Sequence, residues 1–417
     1  MYTVHVAHVE VARGDAFVMP VGPKDSTSYA NLSQGLLQGH FAEVGEEYEY
    51  FHTPGYPAFV VAILFATGGS FFAVTFVQIL LVFAIALMTY VLGARLLSPH
   101  VGQWASLLFL VNPLVPSIAL YVLTDILFTF LLTLGFLLLV VVLPKRTTTA
   151  TILAGIVFAA AIYVRPIGTI AFPIFIAPVF AAAIPWRKKL LCTVGILVII
   201  LVLMVPWMLR NKEHSGVFSF SSLFSLNMAY YEIPHYFSWY QGIGLTEAIQ
   251  KVEQGSGVPE GSDINGYPAN WYNLASAPLL DRYIYAIVFV HPIRYAIWHL
   301  YNSSAFFVNP AINPPHQSVN LKLLLAQGHI KAFAQGVLTP WWLALERTGI
   351  ALGLLLLATG VWRLRRQPLA WAFLFIILYL GALGGSAAES RLRLPVEPLI
   401  SIFIITGMIA CVEWYEK

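Results

Sequence analysis

Apolar residues in this chain come in long unbroken runs, not in the one-sided stripes of a water-soluble helix or the alternation of a half-buried strand. Windows of about 19 residues mark spans near 71–96, 102–119, 122–143, 150–164, 167–185, 190–210, 340–362, 369–386 and 394–412. The pair around Arg165-Pro166 is short for two crossings. Runs of this kind satisfy the backbone only as helices once water is gone. One further run, 56–67 (YPAFVVAILFAT), is too short to cross unaided and reads as a half-span or interfacial helix. The pattern predicts an all-α polytopic membrane protein with about nine transmembrane helices, together with outer-face interfacial helices and an outer domain.

Composition agrees with the pattern. Hydrophobic residues make up 59% and charged residues 10%, with a mean hydropathy of +0.75. A soluble domain carries roughly 25% charged residues, so a water-facing surface of this size cannot be covered. The net charge of +3 is spread over loops without a basic tract, which argues against nucleic acid as a partner. Cys192 and Cys411 fall inside apolar runs at ends placed below on the cytoplasmic side, and read as buried, inert thiols rather than a disulfide framework.

Charge in the short connections sets direction. Arg95, Lys145-Arg146, Arg187-Lys188-Lys189 and Arg363-Leu364-Arg365-Arg366 fall on one side by alternation, and the positive-inside rule makes that side the cytoplasm. The outer side then receives residues 1–70, the Leu123-Thr124-Asp125 corner, Arg165-Pro166, the long segment 211–338, and residues 389–395. The candidate helix 284–308, with His291-Pro292, Arg294 and His299, reads as interfacial, because a crossing there would put residues 363–366 outside. Residues 1–70 belong outside although no apolar span precedes them. The expectation is therefore a first helix missing through truncation or a misplaced start codon.

Four parts follow: an outer N-terminal segment (1–70), a transmembrane bundle (71–210), an outer domain (211–338) and a C-terminal transmembrane bundle (339–417). No internal repeat is visible, which weighs against inverted-repeat transporter plans.

The few charges held at the outer face are the candidate chemistry. Asp25 opens a helix-like run with Leu32, Leu36 and Leu37 on one side; it suits an N-cap and a functional acid equally. Glu43, Glu46, Glu47 and Glu49 read mainly as a solvated loop. Glu49 and His52 stand nearest the rigid Pro54-Gly55-Tyr56-Pro57 entry to the half-span and are the better site candidates. Asp125 at the mouth of a span serves equally as an interface anchor or a functional group. Arg165 sits at an outer helix–helix corner, where it can snorkel or bind an anion. Glu389, Arg391 and Arg393 in ESRLRLP crowd the mouth of the last span. Arginines there run against the positive-inside trend, so they need a partner: a phosphate, or neighbouring carboxylates.

In order along the chain, DSTSY with LLQGHF, HTPGYP, LTD opening a span, YVRP at a corner and a terminal RLRLP resemble the GT-C membrane glycosyltransferases. The branch resembled contains protein O-mannosyltransferases (glycosyltransferase family 39-like), aminoarabinose lipid A transferases and bacterial RgtA/B/C/D-type enzymes. The resemblance covers nearly the whole chain, with short motifs whose order and shared side make the case. Many members carry Asp-Glu where this chain has Asp25-Ser26, and often Pro-Pro at Thr53-Pro54, which leaves a second carboxylate and any divalent metal undetermined.

The resemblance implies transfer of a sugar from a polyprenyl-phosphate donor, with inversion, to a glycan, lipid or protein acceptor on the outer side of a bacterial plasma membrane. Asp25 would be the base, while Tyr29, Glu49, His52, Asp125, Arg165, Glu389, Arg391 and Arg393 would bind substrate. The rival expectation is a transporter or flippase of a lipid-linked saccharide. That activity calls for polar groups in mid-span, whereas the span interiors here are almost purely apolar.

Overall fold

A computed structural model describes residues 24–41, 50–259, 263–264, 267–310 and 330–416. They form a helical bundle: α1 (Lys24–Leu37), α2 (Gly55–Thr67), α3 (Phe71–Leu96), α4 (Pro99–Val111), α5 (Leu114–Ala119), α6 (Thr124–Leu137, ending in a π turn to Val142), α7 (Thr147–Val164), α8 (Phe172–Ala181) and α9 (Trp186–Ser215). A second part holds α10 (Leu223–Asn227), α11 (Ile233–Gln241), α12 (Leu245–Ser256), α13 (Ala277–Val290), α14 (Pro292–Ser303) and α15 (Ala305–Val308). Its only strands among the described residues are two-residue β1 (Asp263–Ile264) and β2 (Tyr267–Pro268), paired antiparallel. The bundle then resumes with α16 (Ile330–Leu364), α17 (Pro368–Ala382) and α18 (Glu397–Tyr415).

Six helices are long and apolar enough to cross a membrane: Phe71–Leu96, Thr124–Val142, Thr147–Val164, Trp186–Ser215, Ala344–Leu364 and Ser390–Tyr415. Gly55–Thr67, Phe172–Ala181 and Pro368–Ala382 are apolar but shorter. The chain is an integral membrane protein, and on this criterion the described residues hold six candidate spans beside these three shorter apolar helices. The expected span 102–119 is broken. Asn112, held extended by the following Pro113, ends α4, and its side-chain oxygen accepts the Leu114 N–H. The 284–308 stretch is likewise interrupted, at His291-Pro292, where His291 leaves the helical region.

Each span has a lipid side and a packed side. Phe72, Phe76, Leu80, Phe83 and Leu87 of α3 recur at three- and four-residue steps and are exposed, as lipid-facing positions should be. The opposite side joins a core in which Phe136, Phe158 and Phe175 link α6, α7 and α8, with Phe158 and Phe175 stacked at 4.5 Å. The segment 223–298 has its own core around Leu226, Ile233, Tyr236, Trp271 and Trp298. Cys192 is buried, but Cys411 is exposed; α18 turns it out of the bundle, so the expectation of a buried thiol fails there.

Alternation of the spans brings the starts of α3 and α6, the end of α7, the end of α9 and the start of α18 to one end of the bundle. Arg95, Lys145, Arg187 and Arg363 lie at the other. Arg363 pairs with Glu413 across α16 and α18, which fixes these two helices as parallel neighbours. The end carrying α1 is the one that holds the candidate chemistry.

Candidate active site

Helix boundaries aim the charged side chains at one point. Asp25 lies in the first turn of α1. Asp125 lies in the first turn of α6, after the extended Leu123, where the helix amides favour a negative charge. Arg165 follows α7: the proline after it holds Arg165 extended and stops the helix. Arg391 projects from the short 3₁₀ segment Ser390–Val396 that leads into α18.

These four meet. Asp125, fully buried, accepts Arg165 Nη1 on Oδ1 at 2.5 Å and Arg391 Nε on Oδ2 at 2.9 Å. Arg391 Nη1 also donates to Asp25 Oδ2 at 2.9 Å, so one guanidinium bridges two carboxylates that are 100 residues apart in sequence. The Arg165 guanidinium lies 5.7 Å over the Phe128 ring, one turn along α6. Exposure grades across the cluster: Asp125 is closed off, Arg165 and Arg391 are about one-fifth open, and the Asp25 side chain is 48% exposed. Charge is balanced within the four, with the acid most open to a substrate at its rim.

The wall beside Asp25 is aromatic. Tyr29, one turn along α1, packs on His52 at 4.4 Å and on Tyr56 at 5.1 Å. Burial pushes the Tyr29 hydroxyl well above its ordinary range. Burial also pushes the His52 imidazole down to about 4, against a weaker upward pull from Asp25, so His52 is neutral at neutral pH and brings no positive charge. The entry at 53–57 is fastened to the end of α7. Thr53 Oγ1 donates to the Tyr163 carbonyl, and a Cβ on Gly55 would collide with that same carbonyl, so only glycine fits.

Not every candidate joins the cluster. Arg393 turns into the protein, where Nε meets Glu397 at 2.5 Å and Nη1 donates to the carbonyls of Phe306, Phe307 and Asn309. Glu389 lies on the preceding turn, its carbonyl accepting the Leu392 N–H. Glu49 lies outside the described residues.

Other residues gained importance only in three dimensions. Gln78, fully buried in α3, accepts the Tyr56 hydroxyl and donates to the carbonyls of Ala119 and Tyr121, fastening the α5–α6 corner that presents Asp125. One glutamine in a 26-residue apolar helix was a signal available in the sequence. Glu232 and His299, from the second part of the chain, form a partly buried pair whose partners lie more than 60 residues apart, beyond any local pattern.

Among the described residues, no group of three or more His, Cys, Asp or Glu side chains could hold a metal ion. Both oxygens of Asp125 already accept guanidinium donors, and Arg391 occupies the line between the two acids. A divalent cation would have to displace those contacts from a fully buried carboxylate. The described residues do not fit a resident metal, and no step is derived through one.

Residues 52–209 match the model of the dolichyl-phosphate-mannose-protein mannosyltransferase family. Among solved structures, the chain is similar to the oligosaccharyltransferase AglB from Archaeoglobus fulgidus in complex with an inhibitory peptide and a dolichol-phosphate. That match has a TM-score of 0.54, 12% identity, and covers 93% of this chain and 46% of that one. The chain has the GT-C fold. An Archaeoglobus fulgidus oligosaccharyltransferase tethered with an acceptor peptide matches with a TM-score of 0.52 and 14% identity over 95% of this chain and 46% of that one. ArnT from Cupriavidus metallidurans bound to undecaprenyl phosphate superposes more loosely, with a TM-score of 0.41 and 12% identity over 93% of this chain and 73% of that one. The GT-C chain thus spans about half the length of the archaeal enzymes it resembles. No curated protein matches in sequence.

Proposed function

We propose that this chain transfers a sugar from a polyprenyl-phosphate donor to an acceptor hydroxyl at the outer face of the membrane, by a single inverting displacement. The observation that carries the reading is the Asp25–Arg391–Asp125–Arg165 cluster at the mouth of the bundle, with a half-exposed carboxylate at its rim. It is supported by the family match over 52–209 and by the archaeal neighbour of the same fold, which was solved in complex with a dolichol-phosphate.

The acceptor oxygen forms its bond to the anomeric carbon while the bond from that carbon to the phosphate oxygen breaks. The lipid phosphate leaves with the electron pair, and Asp25 takes the acceptor proton. A carboxylate is a weak base in water, but proton transfer late in a displacement needs only a positioned one. Arg391 holds that carboxylate in place through Nη1. The remaining N–H groups of Arg391 and Arg165 are suited to the departing phosphate, where guanidinium donors match phosphate oxygens and charge develops in the transition state. Neutral His52 and Tyr29 supply an apolar and hydrogen-bonding wall rather than charge. Asp125 fixes both arginines and is itself too enclosed to reach an acceptor.

The bound donor would lie with its lipid tail along the exposed apolar belt and its sugar at the site end. Basic connections gather at the opposite end, which supports an outer-face site. The test is incubation of membranes carrying the chain with radiolabelled polyprenyl-phosphate sugars. The expected result is labelled product of opposite anomeric configuration with release of the polyprenyl phosphate. Movement of intact lipid-linked saccharide without cleavage would overturn the transferase reading in favour of transport.

A further inference from the structure

Arg391 is carried on a segment whose two ends are each held by groups from the second part of the chain. On its C-terminal side, Arg393 binds Glu397 and three carbonyls around the end of α15. On its N-terminal side the anchor is Glu232, 5% exposed, at the end of the π turn Met228–Glu232. Glu232 Oε2 accepts both the backbone N–H and the hydroxyl of Ser386, each at 2.8 Å. Its Oε1 accepts the Tyr295 hydroxyl at 3.0 Å and meets His299 Nδ1 at 2.5 Å.

His299 reaches onward. Its Nε2 faces the Ala382 carbonyl at 2.7 Å. An oxygen stands at each ring nitrogen, an arrangement in which the imidazolium form donates from both. Gly385 completes the contact: its N–H donates to Ser303 Oγ, its φ is +50°, and a Cβ there would collide with Glu232 Oε2 and lie 2.8 Å from His299 Cε1. The turn after α17 is thus shaped to seat on one carboxylate.

We propose that Glu232, with His299, is a positioning residue for Arg391, fixing the turn after α17 so that the guanidinium bridges Asp25 and Asp125. The inference rests on the reading of that cluster as the transfer site. Glu232 acts through Ser386, five positions before Arg391 in the chain. The arrangement makes the second part of the chain a structural member of the site rather than a cover over it. A misplacement of about 1 Å in a reacting group lowers a rate roughly 100-fold, so loosening this turn should act on turnover more than on donor capture.

The test pairs an activity readout with one that needs no activity. In the full chain, reconstituted in lipid nanodiscs, Glu232→Gln keeps the shape but sets an amide N–H₂ against donors on one side. Gly385→Ala leaves the carboxylate intact and blocks its seat, which keeps the inference testable should Glu232→Gln fold poorly. In both variants, amide exchange across 384–392 should quicken by about tenfold or more while α7 is unchanged. The kcat for transfer should fall roughly 100-fold with donor KM within about threefold. Unchanged exchange in that segment, or quickened exchange with unchanged kcat, would overturn the inference while an Arg391→Lys loss of transfer left the site reading standing. Full transfer by Arg391→Lys would instead overturn the site reading, and this inference with it.

Discussion

At the scale of single residues, Asp125 carries the heaviest electrostatic demand. It is fully enclosed, and two guanidinium groups converge on its two oxygens. Removing one member of such a set leaves charges without partners in a poorly solvated place, which typically costs about 3–5 kcal/mol. Asp125→Ala is expected to show that loss as a marked fall in thermal unfolding temperature in detergent; an unfolding temperature equal to wild type would contradict the burial argument. His52 makes a prediction of opposite origin. Its folded value, about 4, lies below the ordinary 6.5 of an exposed histidine, so the unfolded chain binds more protons between those limits. Its contribution is therefore complete above about pH 6.5 and is lost as pH falls toward 4, on the order of 3 kcal/mol in all. His52→Phe should flatten stability over that window, and an unaltered slope would refute the assignment.

At the scale of elements, the site depends on where helices stop. Pro166 ends α7 at Arg165, Pro113 breaks the expected 102–119 span, and the turn after α17 seats on Glu232. Gln78 is the tie between these elements, and Gln78→Leu strands the Tyr56 hydroxyl and two carbonyls, each at about 1–3 kcal/mol. The expected readout is lower stability together with weakened transfer, because the α5–α6 corner then presents Asp125 less firmly. Stability equal to wild type would show that the tie is not needed. The Glu232–His299 contact has a pH window of its own. Burial opposes the charged form of each partner. The hydrogen bond and charge of His299 still hold the Glu232 carboxyl below its usual range, and those of Glu232 hold the imidazole above its own. The ion pair is lost as pH rises through the raised histidine value, so the protection of amides across 384–392 should fall on the alkaline side.

Much of this was legible in the chain because its signals are local. Long apolar runs, Pro-terminated helices and acids at the first turn of a span need no partner to be recognised, and they led to Asp25, Asp125, Arg165 and Arg391. Charge excess at the mouth of the last span was readable, but not its division: Arg391 and Arg393 differ by two positions and face different partners, which only the 3₁₀ turn decides. The Glu232–His299 pair and the break at Asn112 depend on contacts made after folding, and periodicity is silent about them.

At the scale of the whole molecule, one end of the bundle is basic in its connections and the other holds the acid–arginine cluster. That polarity predicts orientation. On a cysteine-free background, Lys251→Cys should react with an impermeant maleimide in intact cells, and Lys188→Cys only after the membrane is opened. The reverse pattern would place the cluster in the cytoplasm and contradict outer-face transfer.

In the proposed mechanism Asp25, held by Arg391, takes the acceptor proton during sugar transfer. The most direct test is single-turnover transfer from a saturating labelled polyprenyl-phosphate sugar, comparing wild type with Asp25→Asn while donor binding is measured in parallel. The Asp25→Asn variant is expected to bind donor within about threefold of wild type and to transfer the sugar roughly 100- to 10,000-fold more slowly, the range expected for loss of a positioned base. Transfer at the wild-type rate with donor bound would contradict it.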